Sequence, residues 1–121
     1  MAKKVSSKKV SGDLIVRRVK TIAKDSAKVF IGKRHHAHKR MKVREVTRQQ
    51  VIRILNSNFK VFEQPYQNTS GEWQLTIDGR DLDEKDIGSN IRIGLLIRES
   101  NEGEFLVVVT VIRVSQRRSN R

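Results

Sequence analysis

After residue 71 the apolar period changes from helical to two, and that change restricts this part of the chain to strands. In EWQLTI (72–77), Trp73, Leu75 and Ile77 alternate with Glu72, Gln74 and Thr76, which gives a strand one dry face and one wet face. NIRIGLLIRE (90–99) puts Ile91, Ile93, Leu95 and Ile97 on one side and Arg92 and Arg98 on the other. EFLVVVTVIRV (104–114) is apolar on both sides, as expected of a central strand covered from both faces. SNEG (100–103) between these two reads as a hairpin turn. KVFEQPY (60–66) predicts a further strand, confined by Pro65 to a sheet edge or a strand end.

Upstream the period is helical. Leu14, Ile15, Val19, Ile22 and Ala23 recur at helical spacing opposite Arg17, Arg18, Lys20 and Lys24, behind a cap at Ser11 or Asp13. This predicts an amphipathic helix from Ser11 to about Asp25, preceded by a flexible basic arm over residues 1–10. AKVFI (27–31), bounded by Gly32, suits a short strand or an extended entry to the next helix. At Thr47 the signal is sharper. Gln50 three residues on completes a capping box, Val46 is placed to staple against Val51, and Asn56 to Asn58 supply the stop. Helices first and a meander afterwards predict an α+β domain, with N-terminal helices packed on one face of a three- to four-stranded antiparallel sheet. The domain is expected to span residues 11–114, followed by a basic tail over 115–121. At 121 residues the chain suffices for one core.

Charge narrows the partner class. The net charge is +13, from 26 Lys and Arg against 13 Asp and Glu. Residues 1–44 hold fifteen of the basic residues and only two Asp, whereas residues 61–121 hold eight basic and ten acidic residues. Such a distribution predicts attraction to polyanions through the first third of the chain. The absence of Cys removes disulfides and thiolate metal sites and fits a reducing cytoplasm. With no apolar run near membrane-spanning length and no signal-peptide core, the chain is expected to be soluble, without a membrane partner.

The most basic run is KRHHAHKRMKVREV (33–46), with six Lys or Arg and three His. On a helix only His35 and His38 of the histidines share a side, and no carboxylate lies among them, so the spacing does not predict a metal site. The acidic stretch DGRDLDEKD (78–86) does not match a calcium loop, is interrupted by Arg80 and Lys85, and predicts a solvated loop. Placed on a helix, His36, Arg40 and Arg44 line one edge at i, i+4 and i+8, with Ala37 and Met41 beside them as the packing stripe. An imidazole beside two guanidiniums suits phosphate chemistry, because arginine forks onto phosphate oxygens and histidine moves a proton near neutral pH. The same residues also suit plain nucleic-acid contact. Lys33, Arg34 and Lys39 of this run, Arg17 and Arg18 on the first helix, and Arg92 and Arg98 on a strand are the further candidates for phosphate contact.

HHAHKRMKVREVTRQQVIRIL (35–55) resembles a motif of His-Ala, two or three residues, Arg-Met, two residues, Arg, then Val or Ile with Ser or Thr opening a helix. That motif belongs to an uncharacterised bacterial and phage domain family grouped with the RelE-like and BrnT-like ribonuclease toxins. IDGRDLDEKDIGSNIRIGLLI (77–97) is similar to the family's hairpin into a strand, and LVVVTVIRV (106–114) to its last strand, where Ile112 stands in place of the usual aromatic. The similarity runs from about residue 28 to 114.

The resemblance implies a RelE- or BrnT-like fold and a metal-independent endoribonuclease needing no cofactor. It maps the motif onto His36, Arg40 and Arg44, with Thr110 on the last strand. His36 would serve as acid or base, and Arg40 and Arg44 as phosphate clamps. Tyr66, Arg92 and Arg98 are further candidates for the second proton transfer or clamp. It further implies an RNA or ribosome-associated target, an acidic antitoxin or immunity protein as partner, and action in the cytoplasm of its own or a target cell. The competing expectation is a non-catalytic nucleic-acid or ribosome-binding module. With one Trp, one Tyr and four Phe, backbone contact is expected over base recognition.

Overall fold

The computed structural model describes residues 2–32, 46–80 and 89–115. Lys33, Arg34, His36, Lys39, Arg40 and Arg44 lie outside these residues, as do the acidic positions Asp81 to Asp86 and most of the expected C-terminal tail.

Two helices and a five-stranded sheet make up the described chain: α1 (Ala2–Ala23), β1 (Val29–Ile31), α2 (Arg48–Leu55), β2 (Lys60–Gln67), β3 (Trp73–Arg80), β4 (Ser89–Ser100) and β5 (Gly103–Ser115). The strand order is β1-β5-β4-β3-β2. Strands β2 to β5 form the expected antiparallel meander. The sheet is larger than expected and mixed, because AKVFI contributes β1, which pairs in parallel with β5 at Val29↔Leu106 and Ile31↔Val108. Three residues carry too little periodicity to show a strand, and nothing local encodes a partner some eighty residues away. Pro65 lies in β2, at the sheet edge to which a missing N–H restricts it.

The strand period sorts the two faces. Leu75 and Ile77 of β3, Ile91, Ile93, Leu95 and Ile97 of β4, and Leu106, Val108 and Val111 of β5 meet Ile15, Val19, Ile22 and Ala23 of α1 and Val51, Ile54 and Leu55 of α2 in one core. Burial of each such Val, Leu or Ile side chain stabilises the fold by about 1.5–3 kcal/mol. The opposite, outer face has its own smaller buried cluster of Leu96, Val107 and Val109, with Phe105 against it. β5 is therefore apolar on both sides for the reason its sequence suggests. Leu14 departs from the expected stripe and is 49% exposed.

Helix α1 begins at Ala2, not at Ser11, so residues 2–10 form its first turns. Its end is tightened by Asp25, whose N–H donates to the Ile22 carbonyl and whose carboxylate accepts from the Ala27 N–H. The start of α2 follows its sequence signal closely. Thr47 Oγ1 accepts from the Gln50 N–H at 3.1 Å, and Gln50 Oε1 accepts from the Thr47 N–H at 2.8 Å. Arg48 then donates to the carbonyls of Ser26 and Val29, and Asn56 Nδ2 at the other end donates to the Ala23 carbonyl. These bonds tie α2 to β1 and to the end of α1. Thr47→Ala is expected to cost about 1 kcal/mol, the usual worth of such a cap, read as a lower urea midpoint at unchanged slope. A change below about 0.3 kcal/mol would mean that packing alone sets the helix start.

Ser100 and Gly103 close the β4–β5 hairpin over Asn101 and Glu102. Gly103 has φ 114°, a conformation that favours glycine. At mid-strand Thr110 pairs with Gly94 while Val108 pairs with Leu95, so Val109 is an inserted bulge residue. Gly94 leaves the space that Val109 and Thr110 share: a Cβ there would lie 3.2 Å from Thr110 Cβ and 3.4 Å from Val109 Cγ2.

Candidate nucleic-acid interface

Each described candidate cation occupies a different electrostatic setting. Arg92 on the outer face of β4 forks onto Asp78 of β3, Nε to Oδ1 at 2.7 Å and Nη2 to Oδ2 at 3.0 Å. The hydrogen bond to Asp78 raises its already high pKa, against the opposing effect of desolvation. Arg98 forks in the same way onto Glu72, at 2.6 and 3.2 Å, and its pKa is raised through that bond. Arg18 of α1 is paired with Glu104 of β5. Arg17, beside it, is exposed and has no ion-pair partner among the described residues. Three of the four are thus engaged by carboxylates, and a phosphate would have to displace those partners.

Asp78 itself, expected in a solvated loop, is a residue of β3 and a partner of Arg92. The sequence signal for this was present: Arg92 and Asp78 each sit on the wet side of an alternating strand, where opposite charges pair across neighbours.

The net charge lies mostly outside these pairings. Over residues 12–32, 46–80 and 90–114, twelve Lys and Arg stand against eight Asp and Glu, a net of +4. The other +9 of the chain comes from residues 1–11, 33–45 and 115–121, partly offset by the acidic stretch 81–89. The chain enters the 33–45 stretch from the sheet itself. Gly32, directly after β1, donates its N–H to the Val108 carbonyl at 2.8 Å. Thr110 is two residues beyond Val108 on β5, half-buried on the outer face, and its hydroxyl has no hydrogen-bond partner among the described residues. Gly32 is thus bonded to β5 two residues before the last-strand threonine. Val46, at the other end, is buried in the core.

Cross-strand register arranges the outer face in rows. Thr110, Gly94, Thr76 and Glu63 form one, joined at its far end by a hydrogen bond from Thr76 Oγ1 to Glu63 Oε1. Phe30, Val107, Leu96, Gln74 and Tyr66 form the next, spanning all five strands. Phe30 also makes an edge contact with Phe105, ring centroids 5.1 Å apart. Phe62 covers Arg92, with the guanidinium carbon 3.5 Å from the ring centroid. Phe30, Phe62 and Tyr66 are each about half exposed. The scarcity of aromatics in the composition thus hides their concentration on one face, and only strand register shows it.

A groove of about 500 Å³ on the helix side is lined by Leu14, Ile15, Arg17, Arg18, Thr21, Ile22, Trp73 and Glu104. Its floor is apolar and Glu104 stands in its wall, so its chemistry does not suit phosphate. Among the described residues no three His, Cys, Asp or Glu come together as metal ligands, and no described helix is long and apolar enough to cross a membrane. Comparison of the chain with known protein families, with characterised proteins and with solved structures returned no match.

Proposed function

We propose that the protein binds RNA through its basic stretches and cleaves it without a metal, as the resemblance to toxin-type endoribonucleases implies. The observation that supports this reading is the end of β1 before Gly32, whose N–H donates to the Val108 carbonyl two residues before Thr110 on β5. A motif of one imidazole and two guanidiniums would then act where the free charge of the chain is concentrated.

In the proposed reaction the ribose 2′-oxygen attacks the adjacent phosphorus, and the bond from phosphorus to the 5′-oxygen breaks, leaving a 2′,3′-cyclic phosphate and a free 5′-hydroxyl. His36 takes the 2′-hydroxyl proton or supplies one to the leaving oxygen, and a second group or water does the other. Arg40 and Arg44 hold the phosphate oxygens as negative charge builds on them. The partner set of this reading is RNA, free or ribosome-associated, and an acidic antitoxin or immunity protein, with action in the cytoplasm of the host or a target cell.

The engagement of Arg92 and Arg98, the further candidates for a catalytic clamp, by Asp78 and Glu72 favours a second reading, a nucleic-acid or ribosome-binding module that performs no chemistry. One assay separates the two. The purified chain is incubated with RNA in buffer containing a chelator, while affinity is followed between 50 and 200 mM salt. Both readings expect affinity to fall steeply, roughly a hundredfold if about five phosphates of a single strand are neutralised. Only the enzyme also shortens the RNA. Salt-independent binding would exclude both.

A further inference from the structure

We infer that the outer face of β2 is a base-stacking site for single-stranded RNA, formed by Phe62 and Tyr66. The inference rests on the RNA-binding part of the function proposed above and is independent of cleavage.

Phe62 carries the argument. Its ring is 53% exposed, yet its position is held from beneath by the Arg92 guanidinium, itself fixed by two hydrogen bonds to Asp78. A ring held on one face and open on the other is an oriented π surface, and orientation lowers the entropy cost of stacking a second planar group upon it. Tyr66 lies four residues further along the same strand, 47% exposed, and faces the same way, since its cross-strand partner is Gln74 of the outer row. Four residues of strand span roughly 13 Å, shortened by the register shifts in β2, so the two rings are placed to take two different bases of one strand. Glu63 and Gln74 beside them offer acceptors to base edges.

The charge of the chain selects the occupant. An aromatic pair on a +13 protein meets a polyanion far more readily than an apolar protein surface. Asp78, beneath the Phe62–Arg92 contact, is ion-paired with Arg92, which offsets its repulsion of phosphate, and Glu63 accepts a hydrogen bond from Thr76. Duplexes are excluded as ligands of this stacking site, because their bases are already stacked on each other. The assignment also gives a function to Arg92, which supports a ring in place of gripping phosphate.

The test is fluorescence anisotropy with a labelled oligouridylate 12-mer and a blunt RNA duplex of equal length. Phe62→Ala and Tyr66→Ala are each expected to weaken 12-mer binding by about fivefold or more, from about 1–3 kcal/mol per stacked base. The duplex affinity and the salt slope should stay unchanged. Tyr66→Phe should bind as wild type, whereas Phe62→Leu, still apolar but without a π face, should lose as much as Phe62→Ala. Independently of any variant, a 4-thiouridine 12-mer irradiated on the wild-type chain should cross-link to the peptide spanning 60–67. Unchanged 12-mer affinity in folded alanine variants, with cross-links elsewhere, overturns the stacking site while leaving RNA binding intact. No binding of either RNA by wild type overturns both proposals, and equal losses for duplex and single strand would show a contact to the backbone and overturn stacking.

Discussion

Gly79→Ala is expected to destabilise the domain by about 3 kcal/mol, the upper end of the usual cost of overpacking. Gly79 is on the inner face of β3, where α2 crosses the sheet, and an added Cβ would lie 2.1 Å from Ile54 Cγ2 and 3.2 Å from both Ile54 Cβ and Cγ1. The obstructing side chain cannot swing aside at little cost. Ile54 is β-branched, 1% exposed and surrounded by core residues, so relief requires α2 to move off the sheet. Unfolding in urea should show the loss as a lower midpoint. The double variant Gly79→Ala/Ile54→Ala is the sharper check. Ile54→Ala alone should cost about 2–5 kcal/mol through the cavity it leaves, but together the two changes should cost less than their sum, because the new methyl enters that cavity. Strict additivity, or a Gly79→Ala cost under about 0.5 kcal/mol, would show that Ile54 of α2 does not press on β3 at this position.

That position illustrates how much of the fold is legible from the chain alone. The capping box at Thr47, the turn at SNEG, the edge placement of Pro65 and the alternation of β3 and β4 are local signals, and each corresponds to an observed feature. Gly79 read in sequence is merely part of an acidic, glycine-containing stretch, since the reason for its missing side chain lies 25 residues upstream in α2. The same holds for β1, whose parallel partner is β5, and for Leu14, which satisfies the helical period but sits at the rim of a groove. Periodicity identifies elements and faces. It does not identify which elements meet.

The candidate site shows the same division. Arg92 and Arg98 alternate out of the apolar face as their spacing predicts, but whether an outward arginine is available depends on the neighbouring strand, and here Asp78 and Glu72 occupy both. Phe62 is the converse case: in sequence an unremarked apolar residue of an edge strand, in the fold an exposed ring above one of those arginines. With the engaged guanidiniums removed from the phosphate-binding set, the RNA contact proposed above rests on the basic stretches 1–11, 33–45 and 115–121, and the proposed chemistry on 33–45.

His36→Ala is therefore expected to have the largest functional effect, a fall in RNA cleavage of at least about a hundredfold, in the range attributed to a positioned acid or base. RNA affinity should change by less than about twofold, since the lysines and arginines of the chain supply the attraction to phosphate. Arg44→Lys should behave differently. It keeps the charge but loses the planar fork, so it should lower turnover more than affinity. The pH profile assigns the role of His36. As a base it must be neutral, and cleavage then rises with pH as the imidazole loses its proton; as an acid it must be protonated, and cleavage falls through the same region. In His36→Ala that limb should disappear while the weak residual activity follows another group. If His36→Ala cleaves at the wild-type rate with the wild-type pH profile, the motif binds RNA without acting on it, and the module without chemistry is the function that remains.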